Sequence, residues 1–146
     1  MTYLSVNVNK IAWLRNARGG NNPNLLELSK LIIDSGVSSI TVHPRPDLRH
    51  ITPDDVMALR KLTQDNGVEL NVEGNPFSAA VDNYPGFMQL IIDVKPDQCT
   101  FVPDDEHQLT SDHGWDLSNK NNTLVEYINT VTSMGIRLSL FMDPII

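Results

Sequence analysis

The stretch VNVNKIAWLRNARG, residues 6–19, places an alternating strand directly before a polar segment that carries two arginines. Because its valines and asparagines alternate, the asparagine side chains of the predicted strand leave on one face and the valines on the other. Arg15 and Arg18 then precede Gly19 and Gly20. We expect a loop here, in which guanidinium and backbone N–H groups together hold a phosphate. Strand ends that turn into polar loops are where parallel α/β proteins place their chemistry.

Composition limits the kinds of protein this chain can be. With 146 residues, 40% of them hydrophobic, one domain over residues 1–146 is expected. The formal charge of −7 disfavours nonspecific attraction to nucleic acid and to anionic membranes, so an anionic ligand must be held by local arginines. Cys99 is the only cysteine, which excludes an intrachain disulfide and fits a reducing cytoplasm. No apolar run approaches the ~18 residues that span a bilayer, so we expect a soluble protein that is not exported.

Short β-rich runs recur along the chain at intervals of about one βα unit. The predicted strands cover residues 3–9, 38–44, 68–74, 98–104 and 137–143. Helix signals separate them: an Asn22 cap with Pro23 at the first position, a Thr52 cap with a helix up to Gly67, a helix over residues 87–94, and one that ends at Gly135.

Five strands alternating with four helices predict a parallel sheet, since crossovers of this kind are right-handed. Two architectures suit this order. One is the first half and a little more of a (βα)8 barrel, which takes about 250 residues. The other is an open, flavodoxin-like sheet of five strands. The sequence pattern alone does not separate them.

Polar side chains cluster at the carboxyl ends of the predicted strands. A single residue of this kind is more often a satisfied interior polar group than a catalyst, but the whole set at one end of a sheet predicts a site. The set comprises Asn7, Asn9, His43, Arg45, Glu73, Asp104 and Asp143.

His43 and Glu73 suit acid/base chemistry, because imidazole titrates near neutrality and the pKa of a part-buried carboxyl can be raised toward it. Arg45 and Arg18 are suited to clamp phosphate oxygens. His50 lies just before a predicted helix N-terminus, where it either contributes to an anion site or packs as a loop histidine.

The acidic loop after the fourth strand raises the question of a metal. It contains Asp104, Asp105, Glu106, His107 and His113 without tight ligand spacing, so a solvated loop is expected and no metal is predicted. Thr110 and Ser111 of the same loop could close over a ligand. Cys99 is expected to pack in or beside the fourth strand and not to act as a nucleophile.

Several motifs in order along the chain resemble the pyridoxine 5′-phosphate synthase family. They are VNVNKIA with LRNARG (6–12 and 14–19), ITVHPRPD with RHI (40–47 and 49–51), NVEG (71–74) and VPD (102–104). The resemblance implies a (βα)8 barrel. It also implies condensation of 1-deoxy-D-xylulose 5-phosphate with 3-amino-2-oxopropyl phosphate, which releases phosphate and water in vitamin B6 biosynthesis. Nothing visible in the sequence requires a cofactor.

The resemblance also assigns roles to residues. It implies that His43 and Glu73 are proton acceptors and donors, that Asn7 and Arg18 bind the aminoketone phosphate, and that Arg45, His50 and Thr110 hold the deoxyxylulose phosphate. Asn9 and Lys10 align with a substrate-contacting pair that is Asp-His in many members. The loop over residues 75–86 is longer than the third connection usual in the family, and complete members form homo-oligomers.

Family members carry a third catalytic residue, a histidine on a later strand, and a glycine-rich phosphate site beyond the end of this sequence. The expectation is therefore a partial barrel, the amino-terminal part of such a synthase truncated after the fifth strand. The alternative is a catalytically incomplete phosphate-binding or assembly fragment. A third reading is a different sugar-phosphate enzyme built on an open five-stranded sheet.

Overall fold

The computed structural model describes residues 2–105, 108–118 and 121–144. Ten elements follow one another along the chain: β1 (Ser5–Asn7), α1 (Asn9–Arg18), α2 (Leu25–Asp34), β2 (Ser39–Val42), α3 (Pro53–Asn66), β3 (Glu69–Gly74), α4 (Phe87–Val94), β4 (Gln98–Phe101), α5 (Asn122–Ser133) and β5 (Arg137–Leu140). The five predicted strands are all present, each shorter than the predicted run.

The strands form one parallel sheet in the order β1-β2-β3-β4-β5. Each strand therefore pairs with the next one along the chain. A flavodoxin-like sheet would have the order 2-1-3-4-5. The flavodoxin-like alternative is therefore wrong, and the sequential order is the one that a (βα)8 barrel requires.

The segment predicted as a polar loop after the first strand is the helix α1, Asn9–Arg18. Asn9 is thus the first residue of a helix and not part of the strand. The reason lies in packing, because Val8 and Ala12, four residues apart on one helical face, are both fully buried in the core. Gly19 ends the helix in the left-handed conformation at φ 67°. The loop prediction for residues 10–18 is wrong.

The α2 helix begins two residues later than predicted. Asn24, not Asn22, is its cap, and the Asn24 side chain accepts hydrogen bonds from the backbone N–H groups of Leu26 and Glu27 at 3.0 and 3.2 Å. Pro23 precedes the helix. Since asparagines stand on both sides of Pro23, the sequence offers two caps, and the one followed three residues later by a glutamate is used.

The start of α3 is as predicted. The Thr52 hydroxyl accepts from the backbone N–H of Asp55 at 3.2 Å, and the Asp55 carboxylate accepts from the backbone N–H of Thr52 at 2.9 Å. This capping box satisfies two N–H groups that the helix itself leaves unpaired. Gly67 ends α3 in the left-handed conformation.

The two faces of the sheet differ in polarity. Apolar side chains such as Ile40, Leu70 and Cys99 are fully buried in the core that the strands form with the helices. Cys99 therefore packs within β4 as predicted, and burial raises the pKa of its thiol. Within the described residues, no helix combines the length and apolarity that crossing a bilayer requires.

The other face carries a row of hydrogen-bonded polar side chains that crosses four strands. The Ser5 and Thr41 hydroxyl groups lie 2.6 Å apart, the Asn71 amide donates to Thr41 at 3.2 Å, and Thr100 donates to the Asn71 carbonyl at 2.9 Å. Each of these four side chains thus has a partner, which removes much of the cost of burying the polar groups among them. This row of side chains forms a polar layer beneath the carboxyl ends of the strands.

Candidate active site

A pocket of about 830 Å³ opens at the carboxyl ends of the strands. Of the nine site residues predicted from the sequence, it is lined by Asn7, Asn9, Lys10, His43, Arg45, His50, Glu73 and Thr110. Ser111, expected with Thr110 to close over a ligand, also lines it, and so does Arg49, to which the sequence analysis assigned no role. Arg18, the ninth, is exposed in the last turn of α1 and is not among the lining residues.

Two asparagines place His43 at the rim of the sheet. The backbone N–H of Asn9 donates to the Asn7 side chain at 2.9 Å, and the backbone N–H of His43 donates to the Asn9 side chain at 2.9 Å. These bonds join the start of α1 to the end of β2. Asn9 therefore fixes the backbone of His43 as well as lining the pocket.

His43 is buried and surrounded by positive groups. Burial lowers its pKa to about 3, and the charges of Arg45, His50 and Arg49 add to the effect. The expectation that His43 titrates near neutrality is wrong for the molecule without ligand, because its burial and the closeness of three basic side chains come from the fold. His43 is a neutral imidazole at pH 7, and its Nε2 lies 3.9 Å from the Asp104 carboxylate.

Glu73 titrates close to neutrality. Burial, and secondarily the negative charge of Asp104, raises the pKa of the Glu73 carboxyl to about 7. This agrees with the expectation of a raised carboxyl pKa. At neutral pH the side chain is therefore divided between a form that donates a proton and a form that accepts one.

Gly74, the residue after Glu73, allows the end of β3 to pack closely against α4. A Cβ atom placed on Gly74 would lie 2.2 Å from the Phe87 ring, which is itself fully buried. Only glycine leaves room for the ring at this position. The close contact fixes the end of β3 against α4, and with it the backbone that carries Glu73.

Arg45 is 6% exposed and forms an ion pair with Asp104. Its other terminal nitrogen donates to the Gln108 backbone carbonyl at 3.1 Å, and Arg49 donates to the same carbonyl at 2.9 Å. Two guanidinium groups thus hold the loop after β4 against the loop after β2. The pairing of Asp104 with Arg45 was missed from the sequence, although Asp104 stood among the strand-end carboxylates.

One ring nitrogen of His50 accepts a hydrogen bond from the backbone of its own loop. The backbone N–H of Ile51 donates to its Nδ1 at 2.9 Å. Because Nδ1 accepts, the proton of the neutral ring is assigned to Nε2, which can donate to an anion. Burial, together with the charges of Arg45 and Arg49, lowers the pKa of His50 to about 4, so this ring is also neutral at pH 7.

Arg15, which the sequence placed beside Arg18 as a phosphate clamp, is engaged elsewhere. Its two terminal nitrogens donate to the Asp55 carboxylate at 2.7 and 2.8 Å. Asp55 lies in the first turn of α3, where it completes the capping box with Thr52, so Arg15 joins two helices and its fork is not free for a ligand.

Within the described part of the chain, no three side chains of the types that bind metals come together as a site. Glu106 and His107, which the metal hypothesis included, lie outside the described residues.

The sequence was compared with known proteins. Residues 4–146 match the family described as "Pyridoxal phosphate biosynthesis protein PdxJ". The chain is 52% identical over 142 residues to a protein from Xanthomonas axonopodis pv. citri named pyridoxine 5′-phosphate synthase, covering 97% of this chain and 56% of the relative. It is 49% identical to a protein of the same name from Xylella fastidiosa, covering 97% of this chain and 55% of the relative. The chain thus spans about half the length of the relatives that it matches.

Proposed function

The chain belongs to the PdxJ family of pyridoxal phosphate biosynthesis proteins, and on that premise we propose that it acts in pyridoxine 5′-phosphate synthesis. The family has the TIM-barrel fold, and the sequential order of the five parallel strands in this chain agrees with that fold. The proposed reaction condenses 1-deoxy-D-xylulose 5-phosphate with 3-amino-2-oxopropyl phosphate and releases phosphate and water. The observation that carries the proposal is a carboxyl that titrates near pH 7, Glu73, in one pocket with His43 and Arg45.

Such a condensation moves several protons between carbon, nitrogen and oxygen atoms of the substrates. Glu73 is suited to both directions of transfer, because burial raises the pKa of its carboxyl to about 7. His43 is neutral and is therefore ready to accept a proton. We assign both as catalytic residues on the support of these properties and of their common pocket.

We assign Arg45, His50 and Thr110 to the phosphate of deoxyxylulose phosphate. Arg45 offers a guanidinium fork and His50 an Nε2–H donor, and both line the pocket with Thr110. A phosphate bound here would place negative charge beside His43. Since nearby negative charge favours the protonated imidazole, substrate binding would raise the pKa of His43 from about 3 and strengthen it as a base.

We assign Asn7 and Arg18 to the aminoketone phosphate, and Asn9 and Lys10 to substrate contacts. Asn7, Asn9 and Lys10 are supported by their place in the pocket lining. Arg18 is supported by the family motif alone, and it would approach the ligand from the end of α1. We further propose that the complete protein is a cytoplasmic homo-oligomer. Half-exposed apolar side chains such as Trp13 support association.

A second candidate function is narrower: the pocket binds phosphorylated ketones without completing turnover. The observation that favours it is the set of phosphate-binding side chains in one pocket, Arg45, His50 and Thr110, which need no proton transfer to hold a ligand. Both candidates include the phosphate site at Arg45. They differ in whether this chain converts the bound substrates with Glu73 as a proton-transfer group.

The experiment that separates them measures pyridoxine 5′-phosphate formed from both substrates by the purified chain and by its Glu73→Gln variant. Glutamine keeps the volume of the side chain and removes the titrating proton. Product that falls at least about 100-fold in the variant supports the synthase. Absence of product from a folded wild-type chain that binds deoxyxylulose phosphate contradicts turnover by this chain and favours the second candidate.

A further inference from the structure

The carboxylate of Asp104 lies where three loops of the site meet. It is 5% exposed and forms the ion pair with Arg45 from the loop after β2. The Ser111 hydroxyl donates to its Oδ2 at 2.6 Å, and the Asn75 amide donates to its backbone carbonyl at 2.7 Å. Asp104 thereby joins the loops that follow β2, β3 and β4.

The two oxygens of this carboxylate are used unequally. Oδ2 accepts from both Arg45 and Ser111 and is also the atom that lies 3.9 Å from His43 Nε2. Oδ1 is buried and has no hydrogen-bond partner among the described residues. Leaving a buried acceptor unpaired costs about 1–3 kcal/mol, and more for a charged group. Oδ1 therefore keeps acceptor capacity that no described residue uses.

We propose that Asp104 is a positioning residue of this site, which holds the Arg45 guanidinium at the pocket and places a negative charge beside the two proton-exchanging groups, His43 and Glu73. The proposal rests on the proposed function for the identity of those groups. Asp104 touches no substrate and acts only through Arg45, His43 and Glu73.

The surrounding charges show why a carboxylate is needed there. His43 has three basic neighbours in its own and the following segment, Arg45, Arg49 and His50, all of which oppose its protonation. Among the described residues, Asp104 is the carboxylate within ion-pair distance of the His43 ring. A proton gained by His43 would therefore face the Asp104 carboxylate.

The same charge acts on Glu73 from the neighbouring strand. The register pairs Glu73 with Thr100, four residues before Asp104, so the two carboxylates follow adjacent strand ends. Repulsion between them adds to burial in favouring the protonated form of Glu73. Removing the charge of Asp104 should make Glu73 a stronger acid.

The test uses the full chain and does not depend on turnover. The Glu73 side-chain carboxyl is followed by carbon-13 NMR between pH 5 and 9, with its resonance assigned from the Glu73→Gln spectrum. Asp104→Asn keeps an acceptor for Arg45 and removes the charge, so we expect the Glu73 midpoint to fall by about half a pKa unit or more. Ser111→Ala, which removes a bond to the same oxygen and leaves the charge, is the matched control and should keep the midpoint within about 0.2 units.

A second measurement tests the hold on Arg45. Affinity for inorganic phosphate is measured by calorimetry for the wild type, Asp104→Asn and Asp104→Ala. We expect Asp104→Ala to weaken binding about fivefold or more, because the guanidinium loses the partner that fixes it, and Asp104→Asn to weaken it less.

An unchanged Glu73 midpoint in folded Asp104→Asn would overturn the proposal, because a merely structural carboxylate would leave that titration alone. Unchanged phosphate affinity in Asp104→Ala would also overturn it. If Asp104→Asn does not fold, Asp104→Ser serves in its place and must show the same fall in the Glu73 midpoint. A wild-type chain that binds no phosphate contradicts the proposed function instead, while the Glu73 titration still decides the role of Asp104.

Discussion

Arg15 donates two hydrogen bonds to the carboxylate of Asp55, at 2.7 and 2.8 Å, and this pair joins α1 to the first turn of α3. Both side chains are largely buried, with exposed fractions of 13% and 15%. Asp55 simultaneously closes the capping box of α3 with Thr52. The helix that carries the pocket residues Asn9 and Lys10 is therefore anchored to the helix that follows His50.

Removing the guanidinium should destabilise the fold measurably. Arg15→Met keeps much of the aliphatic volume and leaves Asp55 without its partner, so we expect the free energy of unfolding to fall by about 2 kcal/mol at pH 7. Arg18→Met, an exposed arginine on the same helix, is the matched control and should change it by less than about 0.5 kcal/mol. Urea unfolding of the three proteins measures both values, and equal effects of the two substitutions would contradict the anchoring role.

The same pair predicts a pH dependence. Hydrogen bonds from Arg15 and Thr52 hold the pKa of Asp55 below its ordinary value despite burial. A carboxyl with a lowered folded-state pKa stabilises the fold above its unfolded pKa and loses that contribution as the pH falls through the folded value. The difference in unfolding free energy between wild type and Arg15→Met should therefore shrink as the pH falls below about 4.

Gly74→Ala should disturb the site without touching a polar group. The added Cβ would lie 2.2 Å from the Phe87 ring, which is fully buried, so we expect a loss of about 2–3 kcal/mol in the free energy of unfolding. Gly20→Ala, where a Cβ would meet nothing within 4 Å, is the control and should be close to neutral. Thermal unfolding compares them, and a Gly74→Ala protein as stable as the control would show that the contact is not constraining.

The raised pKa of Glu73 predicts a gain in stability when its charge is removed. Between the ordinary pKa of 4.5 and the folded value of about 7, the folded state binds more protons than the unfolded state, so wild-type stability falls as the pH rises through this window. Glutamine has no proton to lose. Glu73→Gln should therefore gain about 2 kcal/mol more relative to wild type at pH 8 than at pH 5.

Urea unfolding at the two pH values measures this difference. Glu126→Gln, which changes an exposed glutamate on α5, is the control and should have the same effect at both. A Glu73→Gln effect that does not depend on pH would contradict the assigned titration. The residue proposed for proton transfer would then be an ordinary surface-like carboxylate.

The parts of the fold that the sequence predicted are those with local physical causes. The Thr52 cap, the left-handed Gly67 and the β-rich runs each depend on neighbours within a few residues. The helix α1 was missed because the alternation of residues 6–9 suggested a continuing strand, whereas the burial of Val8 and Ala12 depends on tertiary packing.

The sequence predicted which residues line the candidate site, but not their pKa values or ion pairs. Strand-end polar residues converge in any parallel sheet of this order, which is why eight of the nine residues line one pocket. The lowered pKa of His43 depends instead on burial and on two arginines and a histidine that the fold brings beside it. The role of Asp104 depends on Arg45, 59 residues away, a separation that no local pattern reveals.

The measurement that tests the central claim most directly compares two ketones that differ only in a phosphate. Calorimetry at pH 7.5 gives the dissociation constants of the chain for 1-deoxy-D-xylulose 5-phosphate and for unphosphorylated 1-deoxy-D-xylulose, with Arg45→Lys as the matched variant. A phosphate site at Arg45 predicts at least about 100-fold tighter binding of the phosphorylated ketone, and about a tenfold loss in Arg45→Lys because lysine lacks the planar fork. Equal affinities for the two ketones, or binding that Arg45→Lys leaves unchanged, would contradict it.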